Sequence, residues 1–173
     1  MRIVVIAAFS VLAASLGLAQ TPASGTKGKV ALYSAVGAEL TEYVVDIDSA
    51  TLVKQGTVRL PAAVQEAWTH PSRRYIYITW SSGGPGATGN QHAQHGVTAL
   101  RVDPTTGLLQ AHGQPIPLAS RSIYMAGDTT GSHLIVAHND PPRATVHRIA
   151  ADGTLGAPVQ QPANLDFGIY PHY

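Results

Sequence analysis

The sequence predicts an all-β protein made of repeated four-stranded antiparallel sheets, and three observations support this fold class. Charged residues make up 12% of the 173 residues, against roughly 25% in a typical soluble domain, and 17 Gly with 12 Pro supply many turns. After the N-terminal region, no stretch repeats apolar residues at i, i+3, i+4 and i+7 for three turns, so helix is not expected. Instead, strand-and-turn patterns recur along the chain in a fixed order.

Two kinds of unit repeat, and their order indicates the architecture. TALRVDPTTGLLQ at residues 98–110 resembles TVHRIAADGTLGA at 145–157, and YVVDIDSATLVKQ at 43–55 has the same pattern with a tighter turn. HPSRRYIYITW at 70–80 matches DTTGSHLIVAH at 128–138. Four short strands in every cycle of about 40 to 50 residues are typical of a β-propeller blade. A β-sandwich also has regularly spaced strands, but the matched turns in matched order favour the propeller.

The strands group into blades of an incomplete ring. Residues 166–173, DFGIYPHY, predict the innermost strand of a further blade that has only begun. Propellers close with about four to eight blades, so we expect fewer than three blades here and a natural protein that continues past Tyr173. The predicted strands are 29–33, 40–47 and 52–59 in the first blade, 64–69, 75–79, 97–102 and 108–115 in the second, and 122–126, 133–137, 144–149 and 155–160 in the third.

The N-terminal region predicts export. Residues 1–19 combine one Arg, an apolar run and the small-x-small pattern Gly17-Leu18-Ala19, as in a secretory signal peptide. The apolar run is short for a membrane span of about 20 residues, although an N-terminal anchor is the alternative. We therefore predict a signal peptide at 1–19, a linker at 20–28 and blades at 29–173. The mature chain would begin at Gln20, periplasmic or secreted, without stable membrane insertion after cleavage.

Composition and motifs exclude several classes of function. A net charge of +1 without a basic run argues against a nucleic-acid partner, and the lack of Cys excludes disulfides and thiolate chemistry. No G-x-S-x-G motif is present, which argues against a serine hydrolase. GPGATG at 84–89 matches a dinucleotide-binding pattern, but Pro85 and the absence of a following helix favour a hairpin loop. We therefore predict no cofactor.

Two pairs of potential metal ligands have simpler explanations. His92 and His95 are three residues apart in a Gly-flanked segment without a nearby carboxylate pair, which favours a solvated loop over a metal site. Asp46 and Asp48 alternate with Ile47 in a predicted strand and therefore share its polar face. No metal is predicted.

Several segments resemble a known family. LRVDPTTGLL, PIPLASRSIYMAGDTTGSHLIVAHNDP, ATVHRIAADGTLG and LDFGIYPHY are similar to the seven-bladed β-propeller lactonases, which include bacterial 6-phosphogluconolactonase and the fungal 3-carboxy-cis,cis-muconate cyclase. The resemblance covers residues 29–173 and implies a lactone hydrolase that opens a sugar or related lactone by water attack. An exported chain would rarely meet a cytosolic sugar phosphate. The resemblance therefore implies lactone chemistry more than the pentose phosphate substrate.

The resemblance also indicates where the site lies. Alignment of the blades sets Pro71 against Thr129, and the family pattern places a Pro six residues after His172. The equivalents of His172 are then Gln65 and Ile123. These positions open the innermost strands, which line the central channel, and polar groups gather at the mouth of such a channel.

Roles at this rim follow from the needs of lactone hydrolysis, which requires a base for water and a donor for the developing oxyanion. We expect His172 to be the base, and Arg121 to hold the oxyanion or an anionic group of the substrate. The alternative is that His172 and Tyr124 only form hydrogen bonds between blades. The expected substrate-binding residues are Gln65, Glu66 and Tyr124.

Two other functions remain open. A non-catalytic exported propeller would serve as a binding or scaffold module, and a muconate-cyclase-type enzyme would form rather than open a lactone. Hydrolysis assays separate the first from a hydrolase, and activity on unsaturated diacids would identify the second. The expected partner is a small-molecule lactone. Open blade edges further predict self-association, and the 173-residue chain alone is expected to be inactive.

Overall fold

The computed structural model describes residues 2–6, 30–83 and 92–161, with only the backbone of 2–6. These residues form three sheets, and no helix occurs among them. The first sheet contains β1 (Arg2–Ile6), β2 (Val30–Val36), β3 (Glu39–Asp46) and β4 (Thr51–Arg59). The second contains β5 (Ala63–Thr69), β6 (Tyr75–Ser81), β7 (His95–Val102), β8 (Leu109–Ala111) and β9 (Ile116–Leu118). The third contains β10 (Ser122–Gly127), β11 (His133–Asn139), β12 (Pro142–Ile149) and β13 (Leu155–Pro158).

From β2 onward, all strand pairs are antiparallel, and neighbouring strands of each sheet follow one another in sequence except that β9 pairs with β7. This confirms the predicted architecture of four-stranded antiparallel blades. Each strand predicted between residues 29 and 160 overlaps an observed one. In the described part of the chain, no helix is long and apolar enough to cross a membrane.

The first blade contains a strand that the repeat pattern did not predict. β1, which belongs to the predicted signal peptide, lies parallel to β2, with Arg2 opposite Val30 and Ile6 opposite Ser34. The sequence of β1 is RIVVI, which is rich in β-branched residues, and these favour extended backbone. Without β1, the inner edge of β2 would have no strand beside it, and such an edge accepts an added strand readily.

The outer strand of the second blade also differs from the prediction. One strand was expected at 108–115, whereas β8 and β9 are two short strands that both pair with β7. Gly113 between them has a φ of +73°, a left-handed conformation that interrupts the extended backbone. The outer strand of this blade is therefore divided in two.

The repeated turns explain the repeated sequence motif. In the second blade, Oδ1 of Asp103 accepts hydrogen bonds from the backbone N–H groups of Thr105 and Thr106, over 2.9 and 2.7 Å. In the third blade, Asp152 accepts the N–H of Thr154 in the same way, over 2.9 Å. Asp side chains commonly close turns like this. The Gly of each turn, Gly107 or Gly153, adopts a φ of +81° or +85°.

The core lies between the blades. β6 is buried along its whole length, and its side chains alternate between the two neighbouring sheets. Ile76 and Ile78 pack toward the first blade, in a cluster with Ala31, Tyr33, Leu40, Leu60, Leu100, Val102 and Leu109. Tyr75 and Tyr77 pack toward the third, in a cluster with Val97, Ala99, Leu118, Met125, Leu134, Val136, Ile149 and Leu155.

Candidate functional site

A β-bulge opens the innermost strand of both complete blades. In the second blade, Val64 pairs with Trp80 and Glu66 pairs with Thr79, which leaves Gln65 as the extra residue. In the third, Ser122 pairs with His138 and Tyr124 pairs with Ala137, which leaves Ile123 as the extra residue. Gln65 and Ile123 are the two positions that the sequence alignment made equivalent. Bulges are common next to active sites, because the extra residue redirects a side chain.

Gln65 and Arg121 meet across the boundary between the second and third blades. Nε of Arg121 donates a hydrogen bond to Oε1 of Gln65 over 2.5 Å. The Gln65 amide nitrogen donates to the carbonyl oxygens of Ala63 and Val64, over 3.0 and 3.2 Å, which fixes the direction of the side chain. Two of the predicted site residues, 56 positions apart in sequence, are therefore in direct contact.

The structure separates the other predicted binding residues. Glu66 lies on the side of β5 that faces the third blade, as its neighbour Trp68 does, and burial raises the pKa of its carboxyl group. Tyr124 is 62% exposed. It pairs with Ala137, so its side chain lies on the face of the third blade opposite to that of Met125, which joins the core with the second blade. Tyr124 is thus turned away from the second blade.

Several predicted features lie outside the described residues. These are His172, the GPGATG motif, the linker at 20–28 and the part of the predicted signal peptide after residue 6. The role of His172 as a base stays a prediction.

His95 has a different place from the one expected. It does not lie in a solvated loop but begins β7, opposite Ser81 of β6 and Leu118 of β9. Its Nδ1 atom is 2.8 Å from Oγ of Ser81, a side chain with 1% exposure. Burial and the positive charge of Arg121 both lower the pKa of His95. His95, Val97 and Ala99 continue the alternation of β7, which is the sequence signal that could have extended the strand.

Asp46 and Asp48 do not share a strand face as predicted, because β3 ends at Asp46 and Asp48 lies in the turn that follows. Both are exposed, and Oδ1 of Asp46 accepts the backbone N–H groups of Asp48 and Ser49 over 3.0 and 3.1 Å. His92 lies in a turn before β7 and is exposed. Within 2–6, 30–83 and 92–161, no group of three or more His, Asp or Glu side chains could hold a metal ion.

Unused hydrogen-bonding groups lie on the third blade near Arg121. The buried hydroxyl groups of Ser120 and Ser122 and the Nε atom of Arg143 have no partner in the described structure. Ser122 pairs with His138, and His138 pairs with Arg143, so these three form a row across β10, β11 and β12. The row shares the face of Val136, which packs against the second blade. The boundary between the second and third blades is therefore polar and positively charged near Arg121.

Comparison with known proteins identifies the fold. No protein-family model matches the chain, and no curated protein matches it. Three solved structures are similar to it. A protein from Bacteroides fragilis, provisionally named a 6-phosphogluconolactonase, has 18% identity and a TM-score of 0.58 over 71% of this chain and 33% of its own. A Lactobacillus plantarum protein has 19% identity and a TM-score of 0.54, over 72% and 35%. The periplasmic gluconolactonase of Pseudomonas aeruginosa has 12% identity and a TM-score of 0.58, over 73% and 34%.

These similarities show the fold. The three sheets are blades of an incomplete β-propeller, as the repeats predicted. The chain spans about a third of the length of each structure that it matches. Two of the three similar proteins carry names of lactonases.

Proposed function

We propose that this chain forms part of an exported lactone hydrolase that opens a sugar or related lactone by water attack. The observation that carries the proposal is the hydrogen bond between Arg121 and Gln65 at the inner edges of two neighbouring blades. The bond uses Nε, and among the described residues no side-chain hydrogen bond occupies the two terminal nitrogens of the guanidinium group, which carry four N–H donors for a ligand. The lactonase names of two similar structures support the same reaction class.

Arg121 suits the oxygen atom that gains charge during lactone opening. When water attacks the carbonyl carbon, the carbonyl oxygen becomes an oxyanion, and donors fixed in advance stabilise it most. Gln65 holds Arg121 from the side, and backbone carbonyl oxygens hold Gln65, so the guanidinium group is oriented before substrate arrives. Glu66, on the side of β5 that faces the third blade, would contact a hydroxyl group of a sugar, whereas Tyr124 is turned away from this site. A histidine at the rim would activate water. His172 is the residue that the sequence predicts for that role.

The test is hydrolysis by the full-length natural protein. A pH-stat assay with glucono-1,5-lactone, its 6-phosphate and simple five- and six-membered lactones should find at least one substrate. Arg121→Gln should lower kcat/KM by about 10²- to 10³-fold, as loss of an oxyanion donor does. Arg148→Gln is the matched control, because Arg148 is exposed and pairs with His133 on the face turned away from the second blade.

Other outcomes decide between the alternatives. Binding of a lactone or hydroxy acid without turnover would instead indicate a binding module, and turnover of unsaturated diacids would indicate a lactonising enzyme. Full activity in Arg121→Gln would overturn the role of this pair.

A further inference from the structure

We propose that His95 is the base that activates water in this site, and that Ser81 is its positioning residue. The inference rests on the proposed lactone hydrolysis. It assigns the base to a described residue of the second blade, opposite Leu118, which precedes Arg121 by three residues.

The hydrogen bonds of Ser81 determine which nitrogen of His95 carries hydrogen. The Ser81 hydroxyl donates to the carbonyl oxygen of Gly83 over 2.9 Å and accepts the Gly83 N–H over 3.0 Å. A carbonyl group can only accept, so we assign the one hydrogen of Ser81 to the carbonyl oxygen of Gly83. With this assignment, the 2.8 Å contact between Oγ of Ser81 and Nδ1 of His95 uses a hydrogen on Nδ1. A neutral ring with hydrogen on Nδ1 has its lone pair on Nε2, and that atom can take a proton.

The strands on both sides of β7 fix the backbone position of His95. Ser81 and His95 are directly opposite on β6 and β7, and this pairing continues without interruption to Tyr75 and Arg101. On its other side, β7 pairs with β9, where Leu118 lies opposite His95. A base on the central strands of a sheet is held more firmly than a base on a loop, which favours catalysis.

The surroundings of His95 favour the unprotonated form of its ring. The charged groups on the neighbouring elements are Arg121, which precedes β10, and Glu66 on β5, opposite Thr79. The positive charge of Arg121 acts on His95 directly and, together with burial, lowers its pKa. A base must be unprotonated at the working pH, and this environment supplies that condition near neutrality.

The reaction balances with these groups alone. Nε2 of His95 takes a proton from water while the water oxygen bonds to the carbonyl carbon, and the carbonyl electron pair moves to the oxygen that Arg121 stabilises. The electron pair then returns, the bond between the carbonyl carbon and the ring oxygen breaks, and the imidazolium group gives its proton to the departing alkoxide. One lactone and one water become one hydroxy acid, and His95 is neutral again.

The first measurement does not depend on activity. In the protein labelled with ¹⁵N-histidine, the nitrogen shifts of His95 at pH 7.5 should identify the tautomer with hydrogen on Nδ1. In Ser81→Ala, this preference should be lost, while the backbone spectrum of the second blade is retained. A ring with hydrogen on Nε2 in the natural protein would overturn the proposal, whatever the protein hydrolyses.

The second measurement is kinetic. His95→Gln should lower kcat/KM by about 10²- to 10⁴-fold, the range for loss of a general base. We expect kcat/KM of the natural protein to fall at pH values below the ordinary histidine pKa of about 6.5, and His95→Gln should remove this fall. Ser81→Ala should lower kcat with little change in KM and shift the midpoint of that fall. His133→Gln is the control, because β11 places His133 opposite Arg148 on the other face of the third blade.

The outcomes separate this inference from the proposed function. If lactones are hydrolysed but the loss of activity and of the acid limb follows His172→Gln and spares His95→Gln, His95 is not the base and the proposed function stands. If no lactone is hydrolysed, the proposed function fails, and the ¹⁵N measurement still decides the state of the His95 ring.

Discussion

Tyr77 on the second strand of one blade donates its hydroxyl hydrogen to the carbonyl oxygen of Gly153 in the next blade, over 2.7 Å. The first and second blades repeat the relationship, since the hydroxyl of Tyr33 donates to the carbonyl oxygen of Gly107 over 2.5 Å. In each case, the acceptor is the Gly of an Asp-containing turn. Each of these turns therefore connects the strands of a hairpin and also forms a hydrogen bond with the neighbouring blade.

We predict that Tyr77→Phe destabilises the protein by about 1 to 3 kcal/mol, because a buried carbonyl group loses its partner while the packing of the ring is kept. The free energy of unfolding in urea measures the effect. Tyr124→Phe is the control, since this side chain is largely exposed and should change stability by less than about 0.5 kcal/mol. Equal stability of the two variants would contradict the importance of the bond between blades.

A second prediction concerns the contact between the innermost strands. A Cβ atom at Gly127 would overlap the indole ring of Trp68, which packs in the core between the second and third blades. Gly127→Ala should therefore cost about 1 to 3 kcal/mol, the usual range for overpacking. Gly156→Ala is the matched control, because its Cβ would come no closer than 3.4 Å to the Arg148 carbonyl oxygen.

Thermal or urea unfolding of the two glycine variants tests this. If Gly127→Ala is as stable as Gly156→Ala, β5 and β10 can move apart without loss of stability. The contact with Trp68 would then not hold the blades together.

The sequence predicted the blades well because their signals are local. Alternating apolar residues and Asp/Gly turns determine strands and hairpins within each repeat, so nearly every strand was placed within a few residues. The repeat also made Gln65 and Ile123 equivalent, and the structure confirms this because each is the extra residue of a bulge, although the bulges themselves were not predicted. This much of the candidate site could be found without coordinates.

The contacts of the site could not be predicted in the same way. Ser81 and His95 are separated by a Gly-rich segment, and no period in the sequence indicates that they pair directly across two strands. The hydrogen bond of Arg121 to Gln65 spans 56 residues and depends on how two blades pack. The parallel pairing of β1 with β2 depends on the edge that β2 offers and not on a sequence repeat. Such features arise from tertiary structure.

A third prediction concerns pH and two buried histidines. Nδ1 of His138 donates to the carbonyl oxygen of Ser120, and Nδ1 of His147 to that of Gly156, each over 3.0 Å. Both Nε2 atoms approach Oγ1 of Thr145, at 3.4 and 3.2 Å, although one hydroxyl hydrogen serves only one of them. Burial lowers the pKa of both rings.

The direction of the pH effect follows from proton uptake. The unfolded chain binds protons at His138 and His147 below about pH 6.5, whereas the folded chain resists them, so stability is full above that pH and falls as the pH decreases. Each histidine contributes at most about 1.4 kcal/mol per pH unit. The positive charge of Arg143 adds to the resistance at His138.

Urea unfolding between pH 8 and pH 5 measures this slope. His147→Gln should be less stable than the natural protein at pH 8 and should depend less on pH, since one of the titrating groups is gone. His133→Gln, on the other face of the blade, should keep the natural slope. A slope that His147→Gln leaves unchanged would show that the buried pair does not produce it.

The last prediction concerns export and the edge of β2. We propose that the protein is exported to the periplasm or secreted and that cleavage after Ala19 gives a chain beginning at Gln20, as the Gly17-Leu18-Ala19 pattern predicts. Cleavage removes β1 and leaves the backbone groups of β2 that face β1 without partners. An unpaired edge promotes association with other chains, and apolar side chains exposed on the same blade, Val36 at 80% and Val53 at 52%, add to this tendency.

Intact mass of the exported protein should show the loss of 19 residues, and an uncleaved N-terminus in a membrane fraction would contradict the proposed export. The edge of β2 is tested separately, by comparing the 173-residue chain with a chain that begins at Gln20. The shortened chain should exchange β2 amide hydrogens faster and have a larger mean mass in solution, because a strand without a neighbour loses protection and recruits another copy. If the two chains match in both measurements, β1 does not protect this edge.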